Sequence, residues 1–240
     1  MKELLTSGLA EMGLTPPPGT VQALERYAEL LIEQNKVMNL TAITEPEAVA
    51  RLHFLDSAGV LSRGGEGAEW WKGKRVIDVG TGAGFPGLVL KLLEPSLSLT
   101  LLDSLGKRVT WLESVCGTLG LEGVQCLHAR AEEQALEPGF RDSFDVAVSR
   151  AVASLPLLCE LCLPYVRVGG VFLAMKSVES GEETLAARRA VKRLGGELSE
   201  AVDYSIPGTD VTHRLVPVRK TGPTPKGYPR KWAKIKKEPL

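Results

Sequence analysis

Five short apolar runs recur through the middle of the chain: Val76–Val79, Leu97–Leu102, Val124–His128, Phe144–Ser149 and Val171–Met175, with stretches of helical spacing between them. This alternation constrains the fold more than any other feature. Strands joined by helices return to the same end of a sheet and lie parallel, and a parallel sheet is covered on both faces. Two later stretches, "ELSEAVDYSI" and "VTHRLVPVRK", follow a helix over about Glu182–Leu194 and read as an antiparallel pair. The expected architecture is an α/β, Rossmann-like fold with a seven-stranded, mostly parallel sheet and helices on both faces. With 240 residues, of which 44% are hydrophobic, the chain has enough apolar material for a core.

The part before Arg75 has a different texture. Residues 2–13 read as an amphipathic helix, "TPPPGT" breaks the chain, and "TVQALERYAELLIEQNKVM" carries apolar residues near helical period. Thr44-Glu45-Pro46-Glu47 fits a capping box with Pro in the first turn of a helix running to about Leu61. The Gly-rich "SRGGEGAEWWKGK" then links to the alternating region. The expected domains are a helical N-terminal extension over 1–70, a cofactor-binding domain over 71–220 and a basic tail over 221–240. The N-terminus carries Glu3 and Glu11 and no continuous apolar run, so it does not read as an export signal, and a cytoplasmic protein with no membrane partner is expected. Cys116, Cys126, Cys159 and Cys162 then read as reduced thiols. Cys159 and Cys162 form a C-x-x-C, but apolar helical spacing around them favours a core role over a redox pair, and no second half completes a metal set.

Formal charge is zero overall yet unevenly spread. Residues 211–240 hold nine Lys/Arg against one acid, a net +8, and the remainder carries −8. A basic end on an acidic body suggests a polyanion contact there, against the alternative of a solvated tail that aids solubility.

The stretch "IDVGTGAGFPG", from Ile77 to Gly87, lies between the first strand and the helix "PGLVLKLL". Glycines there let the backbone turn sharply and approach a ligand at the carboxyl end of the sheet. Gly82-Ala83-Gly84-Phe85-Pro86-Gly87 is a formal dinucleotide fingerprint, G-x-G-x-x-G. Read from Asp78, however, the pattern places a carboxylate at the strand end. That carboxylate repels a pyrophosphate and suits the cationic amino-acid end of S-adenosylmethionine, the alternative being a turn or helix-cap residue. Asp103, at the end of the next strand, is placed to accept ribose hydroxyls. Ala131 and Glu132, after the third strand, are placed at an adenine edge, and Arg150, after the fourth, stands beside the cleft to pair with a carboxylate or an RNA phosphate.

"NLTAITEPE", "HFLDS", "DVGTGAGFPG", "LLDSLGKRVTWL", "FDVAVSRAVASL", "HRLV" and "YPRK", in this order from about Asn39 to the C-terminus, resemble the bacterial small-subunit ribosomal RNA guanine-N7 methyltransferase family, also called glucose-inhibited division protein B. The resemblance implies transfer of a methyl group from S-adenosylmethionine to N7 of a guanine in 16S ribosomal RNA. It matches Gly80, Phe85, Ala131, Glu132 and Arg150 to the family's cofactor-contacting positions, and Asp78 and Asp103 to general methyltransferase ones, with Gly82 in the same loop. It makes small-subunit RNA, or an assembling small subunit, the partner of a monomer, with no metal. The basic end, with Lys176, Arg214, Arg230 and Lys231, is expected to hold phosphates. The chain departs from the family at Leu52, where a basic residue often precedes the His of "HFLDS", and at Ser177, where glycine usually follows Lys176.

His53, Asp56 and Ser57 mimic a hydrolytic set but fall on one predicted helix, so intrahelical bonding or a wall of the cleft is the expected role. Trp70-Trp71 suits base stacking or, more readily, the cover of a domain edge. Lys107 and Arg108 face phosphates or are solvated first-turn charges. Guanine N7 already carries an in-plane lone pair, so no general base is expected. The competing functions are a nicotinamide-dependent oxidoreductase and a non-catalytic RNA-binding module.

Overall fold

The computed structural model describes residues 1–65, 67–150 and 153–240. Glu66 of the Gly-rich link, and Ala151 and Val152 of the motif after Arg150, lie outside the described residues. The chain opens with α1 (Lys2–Glu11) and α2 (Thr20–Asn35). A long helical segment follows: α3 (Pro46–Val49), a π-helical turn (Ala50–Leu55) and α4 (Asp56–Arg63). The alternating part is α5 (Ala68–Trp71), β1 (Arg75–Val79), α6 (Gly87–Leu93), β2 (Ser98–Asp103), α7 (Gly106–Thr118), β3 (Val124–His128), α8 (Ala131–Gln134), β4 (Phe144–Arg150), α9 (Leu155–Cys162), a 3-10 turn (Leu163–Tyr165) and β5 (Val166–Ser177). It ends with α10 (Gly181–Arg193), β6 (Gly196–Leu198), β7 (Val202–Ser205), β8 (Thr212–Lys220) and α11 (Trp232–Lys237).

The strands form one sheet in the order β3-β2-β1-β4-β5-β8-β6, with β7 also paired to β8. β1 to β5 are parallel, and β8 runs antiparallel to β5. Among the described residues the sheet has eight strands rather than seven because the stretch read as one strand, "ELSEAVDYSI", is broken. Leu198 pairs with Val218 and Val202 with Leu215, so one extra residue is taken up opposite Pro217. Proline has no N–H to give to a ladder, and the edge strand gives way there.

Alternation along the strands sends side chains to two cores. Val76, Val146, Val148, Leu173 and Met175 point to one face, against the N-terminal helices, α6 and α7. Ile77, Val79, Ala147, Phe172 and Ala174 point to the other, against α9, α10 and Ile235 of α11. The N-terminal helices therefore share a core with the sheet: Tyr27 stacks on both Phe54 and Phe85 within it, and those two rings are tilted against each other. The basic end is likewise packed down rather than a solvated tail. Arg141 donates to the carbonyls of Tyr228 and Thr224 at 2.7 Å each, and the buried Lys220 ammonium donates to Asp142, Thr224 and the carbonyls of Leu163 and Val166.

One local expectation changes and another holds. The helix at Pro46 starts from Glu45 with Pro in its first turn but without a side-chain cap, so the Thr44 capping box does not form. Cys159 and Cys162 are fully buried in the second core, where burial pushes both thiols far up. That is the environment of inert core cysteines.

Candidate active site

The sheet order reverses between β1 and β4, and in doubly wound sheets ligands bind outside the strand carboxyl ends at that switch. Two cavities meet there, of about 490 Å³ and about 230 Å³, sharing Gly80, Asp103 and Ser104. The loop after β1 forms their common floor. Gly80, Gly82 and Gly84 have φ of 74°, 60° and 93°, a region that side chains rarely adopt. Gly84 is also hemmed in, since a Cβ there would sit 2.7 Å from Leu88, and Tyr27 donates to the carbonyl of Ala83 beside it.

Asp78 lies beneath this loop, fully buried. Its Oδ2 accepts from Thr81 Oγ1 at 2.7 Å and from the Gly87 N–H at 2.8 Å, tying strand, loop and helix start together. Its Oδ1 is buried and has no partner among the described residues. Burial pushes its pKa up to about 6, against the pull of those two hydrogen bonds. Asp78 does not line either cavity, so the geometry gives it a loop-holding role with one acceptor left over.

Asp103 stands where the cavities join. Its oxygens accept the N–H groups of Gly82 and Leu105, both at 2.9 Å, and Arg108 lies 3.6 Å away. Each carboxylate oxygen has two lone pairs, so capacity remains for a ligand. The smaller cavity is walled by Val79, Leu102, Ala129, Leu161 and Trp232, with Glu132 at its polar edge. Its apolar walls with the Asp103 and Glu132 carboxylates at their margin suit a nucleobase and its sugar. The Ala131 carbonyl is spent on Tyr165 OH at 2.6 Å and the Ala135 N–H at 3.1 Å, so the expected acceptor role at the adenine edge falls to Glu132 alone. The sequence reading missed Trp232, which enters the slot only because α11 folds back over α9.

The larger cavity is bounded by Gly80–Ala83, Phe85, Leu40, Thr41, His53, Arg108 and Arg150. The His53 ring stacks on Phe85 at 4.6 Å, and the Arg150 guanidinium lies over the same ring at 4.9 Å. Arg150 donates to Asp56 Oδ2 at 2.9 Å, to His53 Nδ1 at 3.1 Å and to the Leu52 carbonyl at 3.2 Å. Asp56, almost fully buried, also accepts from Tyr204 OH at 2.8 Å and pairs with His213 Nδ1 at 2.7 Å. His53 thus lines the cleft and Asp56 supports that wall from behind, through bonds to β4, β7 and β8 rather than within their own helix. Trp70 and Trp71 stack edge-on away from the cleft, with Trp71 fully buried, which fits the cover of an edge.

Three of the four residues assigned to RNA phosphates are engaged within the chain. Lys176 pairs with Glu183, Arg214 binds Asp203 through two nitrogens, and Arg230 binds the fully buried Glu160 through two nitrogens. Lys231 is exposed, as are Lys234, Lys236 and Lys237 on α11. Arg108 lines the larger cavity beside Asp103, and Lys107 is exposed.

Burial, followed by the Arg150 charge, lowers the His53 pKa to about 4, whereas the Asp56 carboxylate raises that of His213 above 6.5. A two-dimensional NMR titration should show His53 neutral down to about pH 4 and His213 changing on the alkaline side of 6.5. Because the folded His53 value is depressed, its contribution to stability is lost as pH falls from about 6.5 towards 4. Equal titration of both rings near 6.5 would remove Arg150 and Asp56 from these roles.

Comparison with a solved structure places this architecture in a class. A SAM-dependent methyltransferase from Aquifex aeolicus superposes with a TM-score of 0.53 over 78% of this chain and 97% of that one, at 16% identity, a likeness of fold. The sheet order and this likeness define an α/β protein of the methyltransferase fold class. The family described as rRNA small subunit methyltransferase G matches residues 20–209. The proteins called ribosomal RNA small subunit methyltransferase G in Symbiobacterium thermophilum and Lachnoclostridium phytofermentans are 48% and 45% identical, covering 99% and 97% of this chain and 97% and 95% of their own lengths. The chain belongs to the ribosomal RNA small subunit methyltransferase G family.

Proposed function

We infer that the protein transfers a methyl group from S-adenosylmethionine to N7 of a guanine in small-subunit ribosomal RNA. The observation that carries this reading is the joined pair of cavities, floored by a glycine loop with a carboxylate at its junction, in a chain of this family. The site fits the cofactor. The smaller slot, lined by Leu161, Trp232 and Glu132, would hold the adenine, and Asp103 would hold the ribose hydroxyls. Asp78, which lines neither cavity, would act on the methionyl end only through the loop that it holds. When bound, the cofactor supplies a methyl group on a sulfonium, which leaves as a neutral thioether.

The chain's own residues supply position. Phe85 of the loop, with His53 stacked on it and Arg150 over the same ring, forms one wall of the larger cavity, and Asp56 fixes the guanidinium from behind. Guanine N7 brings its own lone pair, so no proton is removed from it and rate comes from alignment in a cleft that excludes water. His53 is not a base, because Arg150 already occupies the lone pair of its Nδ1. Exposed Lys231, Lys234, Lys236 and Lys237, on either side of the slot residue Trp232 in sequence, are cations available for RNA phosphates.

Titration calorimetry with S-adenosylmethionine and with NAD, followed by mapping of labelled methyl groups on small-subunit RNA from a strain lacking the protein, tests the reading. Binding of NAD alone, or methylation absent from guanine N7, would sink it. Within the same measurement Asp78→Ala should weaken S-adenosylmethionine by about tenfold or more, since the loop loses two hydrogen bonds to a charged group at about 1.5–3 kcal/mol each. An unchanged affinity with normal circular dichroism would mean the loop holds its shape without that carboxylate.

A further inference from the structure

The hydrogen-bond directions around His53 fix where one proton in the larger cavity must point. A guanidinium has donors and no acceptor, so His53 Nδ1, 3.1 Å from Arg150 Nη2, must be the accepting nitrogen. The ring is then neutral with its proton on Nε2, which faces Thr41 Oγ1 at 2.8 Å and donates to it. The Ile43 N–H donates to the same oxygen at 3.0 Å. A hydroxyl has two lone pairs and one proton. Both lone pairs of Thr41 are filled, so its proton is free to donate and has no acceptor among the described residues. Thr41 lines the larger cavity together with Leu40, His53, Phe85 and Arg150.

We propose that Thr41 recognises the target base, donating its hydroxyl proton to O6 of guanine. This rests on the functional reading above and adds to it the residue that selects the base. N7 and O6 are neighbouring acceptors on one edge of guanine, whereas adenine carries an amino donor where guanine has O6. A hydroxyl whose lone pairs are both taken can accept nothing from that amino group, so adenine meets donor against donor. The relay from Arg150 through His53 sets the hydroxyl's direction before RNA arrives. His53 is thus a positioning residue for Thr41.

The test uses small-subunit RNA carrying 2-aminopurine at the mapped target guanine, which keeps N7 and lacks O6. Single-turnover methyl transfer by the wild-type protein should fall about 10- to 100-fold on this replacement. Thr41→Val, close in shape but without the hydroxyl, should lose a similar factor on guanine and little more on 2-aminopurine. Thr41→Ser keeps the hydroxyl and should restore sensitivity to the analogue. Two losses that simply multiply, or a wild-type rate indifferent to the missing O6, would overturn the proposal, and the wild-type arm decides it even where Thr41→Val folds poorly. Calorimetry with S-adenosylmethionine reports the integrity of each variant's cofactor site. Failure of the wild-type protein to methylate N7 of guanine itself would instead overturn the functional reading, and the proposal with it.

Discussion

Arg230→Ala should destabilise the protein by about 3–5 kcal/mol, among the largest effects of any single substitution outside the glycine loop. Glu160 is fully buried in α9, and its carboxylate accepts from the Arg230 backbone N–H and from two guanidinium nitrogens at 2.9, 2.8 and 2.6 Å. Truncating Arg230 strands that charge in the second core, where nothing else described here pairs with it. Urea unfolding at neutral pH measures the loss. Cofactor affinity should fall with it, because Trp232, two residues on, is a wall of the smaller cavity. A cost under about 1 kcal/mol would put the pair in the range of surface ion pairs and detach the basic end from the cofactor slot.

Asp56→Ala should be comparably damaging, at about 3–5 kcal/mol, with a fall in methyl transfer beyond what stability explains. One buried carboxylate holds Arg150, Tyr204 and His213, so its removal leaves the guanidinium that walls the cleft without a counter-charge. The pH dependence carries the signature. His213 has a raised folded pKa, so its stabilising contribution is complete below about 6.5 and is lost as pH rises through the raised value. Asp56 is held below its ordinary carboxylate value by the His213 hydrogen bond and Arg150, outweighing burial, so its contribution is lost only as pH falls through that lowered value. Asp56→Asn should abolish the alkaline loss. Unfolding curves at pH 6 and pH 9 that differ as much in the variant as in the wild type would separate His213 from Asp56.

Local chemistry made much of this molecule legible in its sequence. Five strands and the glycine loop follow from apolar runs and backbone freedom, both written within a few neighbouring residues. Asp103 reaches the cleft because a strand end determines where its last side chain points, and Glu132 reaches it from the turn of helix after β3. What the sequence does not show is a partner that lies far along the chain. Arg230 looks like a phosphate ligand until Glu160, 70 positions away, is seen beneath it. Asp56 looks like part of a helix-face set, yet its partners are 94, 148 and 157 positions distant. Thr41 carried no visible role because a hydroxyl's direction depends on which nitrogen of His53 holds the proton, and Arg150 decides that. The break between β6 and β7 depends on Pro217 in the neighbouring strand and not on the broken stretch itself.

The π-helical turn at Ala50–Leu55 makes the cleft sensitive to how many residues the chain has there as well as which ones. The Asp56 N–H reaches back to the Arg51 carbonyl, five positions rather than four. The extra residue shifts everything after it by about 100° around the axis relative to a regular α-helix. That offset lets His53, before the join, and Asp56, after it, grip the same guanidinium from two sides, while Ala58 and Leu61 still face the core. Loss of a single codon in this segment would leave every chemical group of the site encoded, yet turn half of them away from Arg150. For this stretch of the gene, the reading of length is as consequential as the reading of letters.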